Sequence, residues 1–345
     1  MNLFKKILWF NLSFLLTMIF CELFIKYSFL STYGMTQFEE EVGRIRNKNN
    51  RFVHFNEGFG IFDVNQYGYL ETKSTEKFIS KGIDIAFLGD SYVESFQVFT
   101  RHHFLSHLEN NLQHLKVNTM NFGRSGFDFA DMYGYKREFV DSFNPDLSVY
   151  MINNNDLHLD GSNDPLIPRA RLVESQLRTK PLFNIDKVNN FIFFQTFLNN
   201  SVVINLINKC RKKINSSSLY SIIFAKPNLP ISKFHKNIDY EDSILAPIIY
   251  KILDTISPKK TIIINISKKP LPQTFLSKCN ENGIQCFDFK PIFKSMEDSN
   301  YNPYYWDVTN KYGHWNHYTH KLIGKYCTKI IQEFIDNNFE TNISE

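Results

Sequence analysis

Four short groups of residues carry side chains that together could transfer an acyl group. They are Gly89-Asp90-Ser91, the N-x-G-x-x-G group from Asn121 to Gly126, the pair Asn155-Asp156, and the sequence GHWNHYTH from Gly313 to His320. Acyl transfer needs a serine that attacks a carbonyl, a histidine that takes the serine proton, and N–H donors that hold the oxyanion. All of these residue types are present.

The elements predicted around these groups explain how they could meet. Apolar runs at 83–88, 117–122, 147–152, 261–266 and 284–289 are typical of buried strands. Helical spacing of apolar residues occurs at 104–115, 129–139, 243–256, 270–282 and 318–336. Because strands and helices alternate, we predict an α/β fold with a parallel sheet covered on both faces. The first three groups follow strands and would share one sheet edge.

The order and spacing of the four groups resemble the SGNH (GDSL-type) hydrolase superfamily, whose four blocks contribute Ser, Gly, Asn and His. The resemblance covers about 83–158 and 260–335. It implies a flavodoxin-like three-layer sandwich with a central parallel sheet of about five strands, and an enzyme without cofactor or metal. Carried over, it makes Ser91 the nucleophile and His314 the base. The oxyanion donors would be the N–H groups of Ser91 and Gly126 and the side chain of Asn155.

One position departs from the family pattern. The family usually has an aspartate two or three residues before the histidine, where this chain has Lys311 and Tyr312. The nearest acid is Asp307, which we expect to orient His314. The alternatives are a backbone carbonyl in its place, which leaves a Ser–His dyad, or a weakened or lost activity.

The N-terminus predicts a membrane segment. Lys5 and Lys6 precede an apolar run from Ile7 to Cys21 that continues past Glu22. No small-x-small cleavage site follows, which favours an uncleaved signal anchor over a cleaved signal peptide. With the two lysines in the cytoplasm, the remainder would lie outside it, in the periplasm or at the cell surface. This arrangement resembles membrane-anchored SGNH members found with bacterial surface-polysaccharide genes.

Composition and patterning divide the rest of the chain. We predict a signal anchor over 1–30, a polar, irregular linker and wrapping segment over 31–80, and the hydrolase-like domain over 81–340. A mostly helical insertion at about 160–240 would line one side of a substrate cleft. The net charge of +4, without a dense basic stripe, argues against a nucleic-acid partner. The five cysteines show no metal-ligand spacing.

These observations favour a serine esterase that removes an acyl group, such as acetyl, from a cell-envelope glycan. The expected partners are therefore an acylated carbohydrate or another ester, and a membrane. One alternative is a catalytically silent SGNH-fold module that binds glycan or helps to assemble it. Another is an O-acyltransferase that uses the same serine and histidine.

Overall fold

The structure is a computed structural model, and it describes residues 3–28, 32–55, 57–72, 82–159, 164–216 and 245–338. Parts of every predicted region lie outside the described residues: 1–2 and 29–30 of the anchor, 31, 56 and 73–80 of the linker, 160–163 and 217–240 of the insertion, and 81, 241–244 and 339–340 of the domain. The strands are β1 (Thr36–Glu39), β2 (Gly43–Arg46), β3 (Asn50–His54), β4 (Gly60–Val64), β5 (Ile83–Gly89), β6 (Val117–Asn121), β7 (Leu147–Ile152), β8 (Arg171–Val173), β9 (Gln176–Arg178), β10 (Thr261–Asn265), β11 (Gln285–Asp288), β12 (Tyr305–Trp306) and β13 (Lys311–Tyr312). The helices are α1 (Leu3–Tyr27), α2 (Ser91–Glu94), α3 (Phe104–Asn111), α4 (Phe129–Glu138), α5 (Ile185–Asn200), α6 (Val202–Ser216), α7 (Pro247–Thr255), α8 (Gln273–Glu281), α9 (Lys290–Asp298) and α10 (His317–Asn338).

Five parallel strands form the central sheet in the order β11-β10-β7-β5-β6. Counted along the chain within this sheet, the order is the 2-1-3-4-5 arrangement of flavodoxin-like folds. The predicted fold class is therefore confirmed. In such sheets the crevice for ligands opens beyond the carboxyl ends of the strands on either side of the point where the strand order reverses. Here those strands are β5 and β7.

Two hydrophobic layers cover the faces of the sheet. On β5, Ile85 and Phe87 point into one layer, and Ala86 and Leu88 point into the other. Successive side chains of a strand alternate between its faces, so a strand that is apolar throughout needs cover on both sides. Helices α3, α9 and α10 pack in the layer with Ile85 and Phe87, and α4, α7 and α8 pack in the layer with Ala86 and Leu88.

The N-terminal part of the chain differs from the irregular segment predicted for it. Residues 36–46 and 50–64 form two antiparallel hairpins, β1–β2 and β3–β4. Beyond them, the Leu70 N–H donates to the Asn121 carbonyl at 3.2 Å, which joins this part of the chain to the edge of the central sheet. The segment therefore packs closely against the domain. The domain boundaries remain predictions.

Helix α1 is 25 residues long and none of its residues is buried. About 20 apolar residues suffice to cross the hydrocarbon core of a bilayer. By length and composition α1 is apolar enough to do so.

Candidate active site

Ser91 lies where β5 turns sharply into the short helix α2. Asp90 caps this helix, because its Oδ1 accepts the Tyr92 N–H at 2.8 Å. The turn brings Gly89 against Val93, and a Cβ on Gly89 would lie 2.2 Å from Val93 Cγ2. The close turn thus requires glycine before Asp90. It places Ser91 at the carboxyl edge of the sheet, beside the β5–β7 crevice.

His314 lies in the loop between β13 and α10. Its carbonyl accepts the Trp306 indole N–H at 3.0 Å, and its ring packs at 4.8 Å between centroids against Tyr92. These contacts set the loop and the plane of the imidazole. His314 Nε2 then lies 2.8 Å from Ser91 Oγ. A histidine in this position can take the serine proton.

The other ring nitrogen of His314 contacts a carboxylate that the sequence did not indicate. Glu57 Oε2 lies 2.7 Å from His314 Nδ1 and also accepts the His314 backbone N–H at 2.8 Å. Glu57 belongs to the turn between β3 and β4, and its partner is 257 positions away in the chain. Ser91, His314 and Glu57 therefore form one continuous chain of hydrogen-bonding groups.

The expectation for Asp307 is corrected by this contact. Asp307 is exposed in the turn between β12 and β13, and the carboxylate at Nδ1 comes from the N-terminal hairpin. The reason is steric as well as topological. A Cβ on Gly313 would lie 2.2 Å from Glu57 Cδ, so the glycine before His314 makes room for this acid.

The environment of Glu57 keeps it charged. Partial burial pushes its pKa upward, but the hydrogen bonds from the His314 ring and backbone outweigh burial and hold the pKa below its usual value. Glu57 can therefore accept the Nδ1–H at neutral pH and leave Nε2 free to face Ser91.

Two of the expected oxyanion donors lie on loops at the same edge. Gly126 has φ +81°, which favours glycine, and no heavy atom lies within 4 Å of a Cβ built there. Asn155 is exposed in the turn after β7, where its backbone N–H donates to Asn153 Oδ1 at 2.8 Å. Their oxyanion roles remain predictions.

A buried ion pair supports the loop that carries Gly126. Arg46 of β2 pairs with Glu94 of α2, and both side chains are almost fully buried. Arg46 also donates to the Gly123 carbonyl at 2.6 Å, and Glu94 accepts the Ser125 N–H at 3.1 Å and its hydroxyl. The same network thus joins the first hairpin, the turn that carries Ser91 and the loop that carries Gly126.

Two further carboxyl groups lie beneath the edge of the sheet. Burial raises the pKa of Asp90 to about 6. Burial, followed by repulsion from Asp90, raises the pKa of Asp156 well above its usual value. Asp156 accepts the Asn153 N–H at 2.8 Å and so shapes the turn after β7.

The surroundings of His320, Trp306 and Trp315 indicate structural roles. His320 is fully buried in α10, where its Nδ1 accepts the Phe104 N–H at 3.2 Å. Trp306 and Trp315 are buried, so neither presents a face to a sugar. Within the described residues, no group of three or more His, Cys, Asp or Glu side chains could hold a metal ion.

Comparison with known proteins gives only distant likenesses. No family model and no curated protein matches the chain. Among solved structures, a protein described as lipolytic and of the G-D-S-L family, from Desulfitobacterium hafniense DCB-2, is 12% identical, with 72% of this chain and 99% of that chain covered and a TM-score of 0.35. The psychrotrophic esterase EstA from Pseudoalteromonas sp. is 11% identical. The match covers 74% of this chain and 99% of that chain, with a TM-score of 0.36. The acetyl xylan esterase AlAXEase is 13% identical. The match covers 72% of this chain and 100% of that chain, with a TM-score of 0.35. At these values the likeness assigns no activity to this chain.

Proposed function

We propose that the protein is a serine esterase. The observation that carries the proposal is the hydrogen-bonded chain Ser91–His314–Glu57 at the reversal point of the sheet. A serine, an imidazole and a partly buried carboxylate in this order are groups that can activate a hydroxyl for attack on a carbonyl.

The proposed reaction follows from these contacts. His314 Nε2 takes the Ser91 proton as Oγ attacks the ester carbonyl, and Glu57 stabilises the imidazolium that forms. His314 then gives the proton to the leaving alcohol, which leaves an acyl group on Ser91. Water, deprotonated by His314, releases the acid and restores the serine.

Donors around the crevice would hold the negative charge of the tetrahedral intermediates. We assign this role to the N–H groups of Ser91 and Gly126 and to the Asn155 side chain. Loss of one such donor typically lowers kcat by about 100-fold to 1,000-fold. The Arg46–Glu94 pair supports the assignment of Gly126, because it fixes the loop that presents this residue.

The decisive experiment separates an enzyme from a silent module. Purified protein should label with a serine-reactive phosphonate and hydrolyse a short-chain aryl acetate. Ser91→Ala should abolish labelling and lower turnover by several orders of magnitude. Ser95→Ala, at the end of the same short helix, is the matched control and should label normally. An unlabelled wild-type protein that folds would favour the silent glycan-binding module.

For the substrate we propose an acyl group, such as acetyl, on a cell-envelope glycan. Tyr312 supports this class, because it precedes Gly313 and His314 and its side chain is 71% exposed. An exposed aromatic ring two residues before His314 offers an apolar face with a polar tip for a sugar. We expect Tyr312→Ala to raise KM for an acetylated oligosaccharide and to leave aryl acetate turnover nearly unchanged. Equal losses on both substrates would argue against sugar contact. Acyl transfer to a second sugar would appear as a new ester when acceptor glycan is added.

We further propose that α1 anchors the protein in a membrane with the site outside the cytoplasm. The apolar length of α1 and the two lysines at its start, Lys5 and Lys6, support this orientation. An envelope glycan would then share a compartment with the site.

A further inference from the structure

Helices α5 and α6 carry a cluster of apolar side chains that face outward. Phe193, Phe194 and Phe197 are 60%, 63% and 47% exposed. Their rings contact one another, with centroids 5.1 Å apart for Phe193–Phe197 and 5.7 Å apart for Phe193–Phe194. Contiguous exposed aromatic surface of this kind marks an interaction site.

The corner between α5 and α6 is fastened to the membrane helix. Glu22 of α1 accepts the Val202 N–H at 2.7 Å, the Val203 N–H at 3.2 Å and the Ser201 hydroxyl at 2.8 Å. A carboxylate near the end of a membrane segment is costly unless it is paired. The first turn of α6 satisfies it with backbone donors and the positive end of the helix dipole.

Further bonds hold the corner to the residues that follow α1. The Gly34 N–H donates to the Leu198 carbonyl at 2.8 Å, and Asn199 Nδ2 donates to the Thr36 carbonyl at 3.2 Å. Because α1 ends at Tyr27, these contacts fix α5 and α6 at the depth where α1 leaves the bilayer.

Neither helix is long enough to cross the membrane. Helix α5 has 16 residues, which at 1.5 Å each is about 24 Å, less than the roughly 30 Å of a hydrocarbon core. Together the two helices are apolar enough to cross a membrane, but the chain bends by 116° between them. The exposed N-terminal part of α5 is also polar, with Asp186 and Lys187. The short helices and the bend between them favour a corner that enters one leaflet over a helix that spans the bilayer.

We propose that the α5–α6 corner is a second, interfacial membrane element. It rests on the proposed anchoring by α1, and it inserts Phe193, Phe194 and Phe197 into the acyl region of the leaflet at the Tyr27 end of α1. The catalytic domain is then held to the bilayer at two places. Its orientation relative to the membrane is therefore fixed, and the domain does not swing freely on one helix.

Tryptophan quenching by brominated phosphatidylcholine tests this in proteoliposomes of the full chain. The emission of the three natural tryptophans can be told apart by quenching, because Trp9 lies in α1 and Trp306 and Trp315 are buried in the domain. In a Trp9→Phe background, Phe193→Trp should lose its added emission in brominated lipid. Phe197→Trp is a second reporter of the same face. Val308→Trp is the matched control, since Val308 is 90% exposed on the turn between β12 and β13, and it should keep its emission.

The outcomes separate this proposal from the anchor. Trp9 in the otherwise unchanged chain reports whether α1 enters the bilayer. If Trp9 is quenched and neither reporter on α5 is, the face is covered by protein, such as residues 217–244 or a second copy, and the interfacial proposal is overturned. Quenching of Val308→Trp as strongly as Phe193→Trp would overturn the assignment of this face. An unquenched Trp9 would overturn the anchor as well. Phosphonate labelling of Ser91 checks the fold of each variant.

Discussion

The acid beside His314 is where the structure differs most from the sequence prediction, because Glu57 takes the place expected for Asp307. We expect Glu57→Gln to lower kcat for an aryl acetate by about 100-fold to 10,000-fold, because an amide can present a donor to Nδ1 and favour the wrong imidazole tautomer. Since the pKa of Glu57 is held below its usual value, the wild-type carboxylate is charged throughout the neutral range. Steady-state kinetics at neutral pH, with circular dichroism as the check on folding, give the measurement.

Asp307→Asn is the control for this variant, because Asp307 is the acid that the sequence favoured. It should keep kcat within about twofold, as expected for an exposed side chain away from such sites. If Asp307→Asn were the damaging change and Glu57→Gln the silent one, the assignment of Glu57 would fail.

The buried carboxyl groups beneath the sheet edge predict a pH effect on stability. The raised pKa values of Asp90 and Asp156 mean that the folded state holds these protons more tightly than the unfolded chain. Their contribution is therefore greatest below pH 4 and is lost as the pH rises through the folded pKa, about 6 for Asp90. A rise from 3.8 to about 6 corresponds to up to about 3 kcal/mol.

Asp156→Asn should reduce this loss, because the amide oxygen can still accept the Asn153 N–H but carries no charge. Urea unfolding at pH 4, 5, 6 and 7 compares the two proteins. We expect the free energy of unfolding to fall less steeply with pH in the variant. Parallel curves for the two proteins would contradict the expectation.

At the scale of elements, the first hairpin supports the site through Arg46. Arg46→Ala leaves Glu94 buried without its partner, which typically costs about 3–5 kcal/mol. Arg51→Ala is a matched control in the second hairpin. Arg51 pairs with Asp63, and the two side chains are 54% and 41% exposed, respectively. Such exposed pairs contribute about 0–1 kcal/mol. Chemical denaturation measures both, and equal effects would show that the Arg46 network adds no special support.

The sequence predicts the elements of the central sheet well. Strands such as β7 are nearly continuous apolar runs, because both of their faces are buried. This pattern can be recognised in the sequence alone. Ser91 could be chosen because it follows a recognisable strand, and His314 because it precedes the final helix, with both in a familiar order. Helix α9 was not predicted, although its apolar residues Ile292, Phe293 and Met296 have helical spacing.

The N-terminal hairpins and Glu57 could not be found in the same way. Strands β1 to β4 have only four or five residues each, too few for a clear period. The only local signal at Glu57 is an acid between two short alternating runs, followed by Gly58 and Gly60. The contact that gives it a role joins residues 257 positions apart, and it depends on packing that no local pattern records.

At the scale of the whole molecule, the prediction concerns orientation. With Lys5 and Lys6 in the cytoplasm, the domain should lie outside it, and protease added to intact spheroplasts should digest it. A cytoplasmic protein probed in the same cells is the control for leakage. Complete protection of the domain, or release of a soluble form cut near residue 30, would count against the anchor and its direction.

The packing of Glu57 onto a remote histidine divides the machinery between two stretches of chain. In the proposed triad, the residues up to Thr72 supply α1 and the acid Glu57, and the residues from Gly82 onward supply Ser91 and His314. A backbone cut between them would leave a two-part enzyme joined only by contacts such as Arg46 with Glu94 and Thr72 with Glu109. Supplied as separate polypeptides, the halves would complement one another. Their combined activity would then report reassembly and, with α1 as the proposed anchor, would place that reassembly at the membrane.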